Sequence, residues 1–107
     1  EETARAGEEE VGGAFLDWPG PLSARDDGLL FVSDVQNHRV VALRMRDLTV
    51  ACVLGDAGAE DGEFMFPAGS CVDPATGGLW VCDRENHRVQ LFHVDRDDGG
   101  ASPQGRA

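Results

Sequence analysis

Two copies of one seven-residue pattern decide the fold that this sequence predicts. Residues 34–40 read DVQNHRV, and residues 83–89 read DRENHRV, 49 positions later. Upstream of each copy an aromatic residue precedes a proline, at Trp18-Pro19 and again at Phe66-Pro67, 48 positions later. The offset changes by one at a turn that has one glycine in the first copy and two in the second, where insertions are tolerated. The chain is therefore predicted to hold two copies of one structural unit of about 40–50 residues.

Short runs of β-forming residues surround both copies. In the first unit they predict strands near residues 21–25, 29–34, 39–44 and 48–54, and in the second near residues 68–73, 79–83 and 88–94. Turn residues separate the runs, and no window of helical length has an apolar period of 3.6 residues. The sequence predicts an all-β fold of about two antiparallel four-stranded blades of the β-propeller type. The second blade is expected to end before its fourth strand.

The two ends of the chain differ in composition from this repeat region. Residues 1–13 are mainly Glu, Ala and Gly, and residues 96–107 are mainly small and polar. Neither end can bury enough apolar surface to offset the entropy of ordering it, so both are predicted to be disordered tails. Between them, residues 14–62 are assigned to the first blade and residues 63–95 to the second.

Each residue type in the repeated pattern has a predicted structural task. The aspartate ends a strand and can accept hydrogen bonds from amides of the following turn, and the asparagine tolerates the left-handed backbone of a tight reversal. The histidine bonds the adjacent turn or packs between blades. The arginine faces the side of the sheet opposite the valine, where it can pair with an acid, and the valine starts the next strand. These residues are Asp34, Asn37, His38, Arg39 and Val40 in the first copy and Asp83, Asn86, His87, Arg88 and Val89 in the second.

A crossover segment precedes the first strand of each blade. Residues 62–67 combine a glycine turn, an apolar plug and a proline at the first position of a strand, and residues 13–19 echo them. The crossover residues with a predicted structural role are Trp18, Pro19, Phe64 and Pro67.

These features together resemble the NHL repeat, named for an Asn-His-Leu signature in which Arg is a common variant of Leu. The resemblance covers about residues 13–92, and the second copy is closer to the family pattern. It implies blades of a β-propeller, which usually has six blades in this family. Such repeats occur in ubiquitin ligases of the tripartite-motif type, in receptor-kinase sensor domains and in the amidating lyase. A shared fold does not by itself imply a shared function.

Two blades cannot close a ring. Each open blade leaves an unpaired edge and an apolar face, so the ring must be completed from elsewhere. One interpretation is that the chain is a piece of a longer propeller, which the usual single-chain arrangement of the family favours. The other is a homotrimer, in which three copies of two blades make six and a neighbour supplies the missing fourth strand.

Composition argues against several classes of partner. Twenty acidic residues against nine basic ones give a net charge of −11, which leaves no electrostatic footprint for nucleic acid or for an anionic membrane. No stretch approaches the roughly 18 apolar residues of a membrane helix. Trp18 and Trp80 align with Phe66 and Phe31, so both are expected in the core rather than as platforms for nucleobases. With no disulfide framework and no leader visible, a cytoplasmic location is expected.

No catalytic or metal-binding set emerges from the sequence. A residue that an active site needs once should not recur in every blade, as His38 and His87 do. The cysteines at 71 and 82 align with Ser23 and Ser33, so a small residue is what those positions require, although a disulfide between the two cysteines stays open. No catalytic residue, metal site or cofactor is therefore predicted.

The leading functional hypothesis is a non-catalytic scaffold for binding another protein. Arg39 and Arg88 are predicted to line a rim that contacts this partner. The alternative is a segment of a propeller enzyme of the lyase or hydrolase type, whose catalytic residues lie outside this chain or come from another subunit.

Overall fold

Two antiparallel sheets of the same topology follow each other along the chain. In the computed structural model, which describes residues 16–97 and the backbone of residues 105–106, the strands of each sheet lie side by side in chain order. The first sheet contains β1 (Pro19–Ala24), β2 (Leu29–Asp34), β3 (Arg39–Arg44) and β4 (Val50–Leu54), and the second contains β5 (Pro67–Val72), β6 (Leu79–Asp83), β7 (Arg88–Val94) and β8 (Gly105–Arg106). The predicted all-β fold with propeller-type antiparallel sheets is confirmed.

The second sheet differs from expectation at its outer edge. The short strand β8 pairs with the end of β7, where His93 is opposite Arg106 and Val94 is opposite Gly105. The sequence predicts no fourth strand here because residues 105–106 have no β-forming side chains, whereas strand pairing uses backbone groups that any non-proline residue offers.

The predicted tails are described only in part. Arg96, assigned to the C-terminal tail, donates a 2.7 Å hydrogen bond to the carboxylate of Asp26. The Asp97 carboxylate accepts a 3.1 Å bond from Arg44. These contacts tie the segment after β7 to the turn between β1 and β2 and to the end of β3. The predicted N-terminal tail, residues 1–13, and most of the C-terminal tail lie outside the described residues.

One hydrophobic core joins the two sheets. It combines the inward face of the first sheet with one face of the second and with Phe64 from the crossover between them. In β6 and β7, buried and exposed residues alternate, as expected for strands with only one covered face. The core residues are Leu29, Phe31, Val40, Ala42, Ala51 and Leu54 from the first sheet and Leu79, Val81, Phe92 and Val94 from the second. The blades therefore stack face to face, and the opposite face of the second sheet points away from the first.

A smaller apolar cluster lies on the outer face of the first sheet. Val32, Val41 and Leu43 form its buried centre, and Leu16, Leu30, Leu48 and Val50 pack against them. Within residues 16–97, no helix is long and apolar enough to cross a membrane.

Candidate functional site

The repeated aspartate of the second blade lies at the centre of a hydrogen-bond network. The Asp83 carboxylate is fully buried and accepts bonds from the Met65 amide at 2.8 Å, from the Asn86 side-chain amide at 2.9 Å and from Arg88 Nε at 2.8 Å. Burial by itself would raise the pKa of Asp83, but these donors outweigh it and hold the pKa below its ordinary value. The group therefore stays ionised and binds three parts of the blade together.

The first blade repeats this network. The Asp34 carboxylate, also fully buried, accepts bonds from the Asp17 amide at 2.7 Å, from the Asn37 side chain at 3.0 Å and from Arg39 Nε at 2.6 Å. The predicted pairing of arginine with an acid is confirmed. The predicted source of the backbone amide was wrong, because it belongs to the crossover 17 residues upstream and not to the following turn.

The left-handed residue of each reversal is the histidine and not the asparagine. His38 has φ 54° and His87 has φ 55°, and each follows a single 3-10 turn, Val35–Asn37 or Arg84–Asn86. The asparagine takes the last position of that turn, from which its side chain reaches the aspartate. The sequence prediction was wrong because it followed the high intrinsic tolerance of asparagine for this conformation. In the structure the asparagine side chain points inward to the aspartate carboxylate, and the following histidine takes the left-handed conformation.

His38 connects the two blades. Its Nδ1 accepts a 2.9 Å hydrogen bond from the amide of Phe66, in the crossover that leads into β5. The His38 and Phe66 rings meet edge to face, with centroids 4.4 Å apart. The predicted packing of this histidine between blades is therefore confirmed. His87, the counterpart in the second blade, is exposed, and no hydrogen bond to its ring is found among the described residues.

Comparison with known proteins agrees with this repeated geometry. The family model for the NHL repeat matches residues 64–92. Human NHL repeat-containing protein 3 is 33% identical over 87 residues, which are 78% of this chain and 24% of the relative. The mouse protein of the same name is 34% identical over 87 residues, and this match again covers 78% of this chain and 24% of the relative. Residues 64–92 are an NHL repeat. It spans about a quarter of the length of these curated relatives.

The arginines of the NHL pattern were predicted to line a rim that contacts a partner, and their positions argue against this role. Arg39 is only 7% exposed, because it is drawn in by Asp34. Arg88 donates to the backbone carbonyls of Ala59, Glu60 and Glu63 as well as to Asp83. It holds the loop before the second blade, so most of its donors are used within the chain.

The crossovers of the two NHL blades differ in their exposure. Phe64 and Pro67 are buried, as their predicted structural role requires. Trp18 in the first crossover is 71% exposed, and Trp80 on β6 is 39% exposed. The prediction that both tryptophans lie in the core was wrong, because alignment with Phe66 and Phe31 identifies the position in a blade but not whether a neighbour covers it.

The outward face of the second sheet is apolar and uncovered. We call it the open face and define it by five side chains: Cys71, Trp80, Cys82, Val89 and Leu91. Cross-strand pairing of Trp80 with both Cys71 and Leu91, and of Cys82 with Val89, places them on one side of the sheet. Part of this face forms a shallow groove of about 230 Å³.

The same positions of the first blade are covered by the second sheet. Val40 is fully buried while its counterpart Val89 is 61% exposed. Phe31 and Ala42, which correspond to Trp80 and Leu91, lie in the core between the sheets. The repeat alignment could have revealed the open face, since its residues occupy the positions that the first blade uses to pack against the second.

The cysteines are free thiols. Cys71 and Cys82 are exposed on the open face, and the disulfide considered between them is not formed. Burial raises the pKa of the Cys52 thiol to about 11, so this group stays protonated and unreactive near neutral pH. Among residues 16–97, no cluster of three or more His, Cys, Asp or Glu could hold a metal ion.

Proposed function

We propose that this chain is a non-catalytic β-propeller segment that serves as a scaffold for protein–protein interaction. The observation that carries the proposal is the open face, an apolar surface whose counterpart in the first blade is covered by another blade. Large exposed apolar patches mark sites where soluble proteins bind protein surfaces.

The chemistry of the open face supports contact with an apolar protein surface. Its members are two thiols, an indole and two aliphatic side chains, all uncharged, on a chain with a net charge of −11. Removing apolar surface from water favours association by roughly 25 cal/mol per Å² before the entropic costs of binding are subtracted. Tryptophan is also enriched among the residues that dominate interface energetics.

The proposal is tested by capturing partners with the purified, immobilised chain and quantifying the proteins retained. The variant Trp80→Asp/Val89→Asp places two charges on the open face, and Met45→Ser is a matched control that removes another exposed apolar side chain in the turn after β3. The expected result is a set of proteins retained by the wild type and by Met45→Ser and lost by the double variant. Equal retention by all three proteins would overturn the proposal.

A further inference from the structure

We infer that the open face binds the first sheet of a second copy of this chain, head to tail, with Trp18 of the second copy packed against His87. This inference rests on the proposed function, because it names the partner of the same surface. Its basis is that the chain contains one complete contact of this kind between its own two blades. The two parts needed for a second such contact, a crossover and a histidine, are both exposed, one on each blade.

The complete contact lies between the two blades of the chain itself. The Phe66 amide donates to His38 Nδ1 at 2.9 Å, and the two rings meet edge to face. Phe66 has φ 53°, a left-handed conformation that turns its amide toward the histidine, and Pro67 follows it at the start of β5. This contact therefore consists of a histidine acceptor on one blade and an aromatic-proline crossover on the next.

We call the aromatic-proline crossover the donor half of the contact, and an exposed donor half lies at the start of the first blade. Trp18 has φ 60°, close to that of Phe66, and Pro19 follows it at the start of β1. The amide before Trp18, that of Asp17, bonds to Asp34 just as the amide of Met65 before Phe66 bonds to Asp83. The Trp18 backbone is therefore presented as that of Phe66 is, and no hydrogen bond from its amide is found in the described part of the chain. Its side chain is exposed.

We call the histidine, with the sheet face beside it, the acceptor half of the contact, and an exposed acceptor half lies in the second blade. His87 has the same left-handed backbone as His38 and carries an exposed ring. Beside it lies the open face, including Trp80 and Val89. A crossover with the geometry of the Trp18 segment fits this histidine as the Phe66 segment fits His38.

The sheet faces are also complementary. Between the blades of one chain, Ser23 Oγ and Ser70 Oγ are 2.8 Å apart, which sets the alignment of the stacked sheets. At the corresponding place between two copies, Cys71 of one meets Leu22 of the other, so an apolar contact replaces the polar one. Leu22 is 58% exposed, and it pairs with Val32 on the outer face of the first sheet.

The centre of that outer face already contains buried residues. Val32, Val41 and Leu43 lie beneath Leu16, Leu48 and Val50, so the contact with the open face is made by exposed side chains around the centre. Besides Leu22, Val53 is exposed on this face, and it pairs with Val41 across the sheet.

The arrangement has a defined symmetry. The two faces in contact are different, so a pair of copies retains one unused donor half on one copy and one unused acceptor half on the other. Such heterologous contacts close into rings when the rotation between copies allows it. Copies joined in this way add two blades each, and three copies would supply six.

The experiment measures molar mass by light scattering across a wide range of concentrations of the full chain. The donor-deficient variant is Trp18→Asn/Leu22→Asp, in which Asn keeps the left-handed backbone accessible. The acceptor-deficient variant is Trp80→Asp/Val89→Asp. All four positions are exposed, and thermal melts confirm that each variant folds.

The expected result is that the wild type and the Met45→Ser control self-associate with rising concentration. Each variant alone remains monomeric, whereas an equimolar mixture of the two forms a dimer and nothing larger, because only one functional contact is possible. His87→Asn, which keeps the backbone conformation but removes the ring acceptor, should weaken wild-type association about five- to tenfold, the value of one hydrogen bond. Added salt should strengthen association by screening the repulsion between acidic chains.

A monomeric wild type, or a mixture of the two variants that stays monomeric, would overturn the inference. These outcomes are distinct from failure of the proposed function. If the wild type is monomeric but the charged open face still loses its captured proteins, the scaffold proposal survives and the occupant is a different protein or a further blade. If neither self-association nor capture depends on the open face, both proposals fail.

Discussion

Asp34 and Asp83 show how one carboxylate can organise a blade. Each collects donors from the crossover before the blade, from the 3-10 turn and from the start of the next strand. A fully buried carboxylate is tolerated only when it is paired and hydrogen-bonded, and these networks meet that requirement. This explains why the aspartate, asparagine and arginine recur together.

Replacing Asp34 with Asn should destabilise the fold by about 3 kcal/mol, because it breaks a buried ion pair in which Arg39 Nε lies 2.6 Å from the carboxylate. The matched control is Asp26→Asn, which breaks the exposed ion pair with Arg96 and should cost much less, because solvent screens the two charges. Urea unfolding measures both losses. Equal losses of unfolding free energy would show that burial does not decide how much an ion pair contributes to stability.

The lowered pKa of the Asp27 carboxylate predicts how the free energy of unfolding responds to acid. Burial would raise its pKa, but hydrogen bonds from Arg25 and the Asp97 amide and the charges of Arg25 and Arg96 lower it from 3.8 to about 2. A lowered folded-state pKa contributes stability above the ordinary value, and this contribution is lost as the pH falls from about 4 to about 2. Asp27→Asn should therefore be about 1–2 kcal/mol less stable than the wild type at pH 7, and the two should converge near pH 2. Parallel curves of unfolding free energy against pH would contradict this assignment.

The loop between β4 and β5 is the element that brings Phe64 into the core. It is closed by hydrogen bonds from the Phe64 amide to the Asp56 carbonyl at 2.8 Å and from the Gly58 amide to the Phe64 carbonyl at 3.0 Å. Gly55 lies against the Phe64 ring, so a Cβ at this position would overlap the ring. The absence of a side chain at Gly55 therefore allows Phe64 to pack between the sheets.

Gly55→Ala should destabilise the protein by about 2 kcal/mol more than Gly62→Ala. Both glycines have positive φ, 88° and 83°, so the backbone strain is matched, but a Cβ at Gly62 meets open space. Thermal or urea unfolding of the two variants measures the difference. Similar losses would indicate that the loop moves to accommodate the methyl group and that the contact with Phe64 is not restrictive.

Strand existence and pairing were predictable at the scale of elements because they depend on local patterns. Alternating β-forming residues and turn signals identify each predicted strand, and the repeat defines which strands correspond. The environment of a strand was not predictable in this way. Val40 and Val89 occupy the same position in the pattern, yet one is buried and the other exposed, because within residues 16–97 only the first blade has a neighbour on that face.

The whole molecule should unfold as one unit, because a single core draws on both sheets. Arg25 adds a second connection: its guanidinium, almost fully buried, donates to the carbonyls of Gly77, Val94 and Asp95 in the second blade. Neither sheet can separate without exposing apolar surface and breaking these charge-assisted bonds.

Val81→Ala should lower the amide-exchange protection of β2 and β6 equally, by about 2 kcal/mol, because this valine is fully buried between the sheets. Val89→Ala is the matched control, since the same side chain is lost from the exposed face, and it should change neither strand. Hydrogen exchange at dilute concentration, where self-association is absent, makes the measurement. Loss of protection in β6 alone would mean that the blades unfold independently.

The sequence by itself determined most of the blade: the strands β1 to β7, their antiparallel order, the aspartate-arginine pairing and the likeness to the NHL repeat all follow from a pattern that repeats along the chain. Only the tertiary structure decided which copy of each residue is covered. It placed Val40 and His38 within the contact between the blades, left Val89 and His87 exposed, and drew Arg39 inward. The physical reason is that local pattern specifies conformation and pairing, whereas burial depends on which surface the next blade occupies.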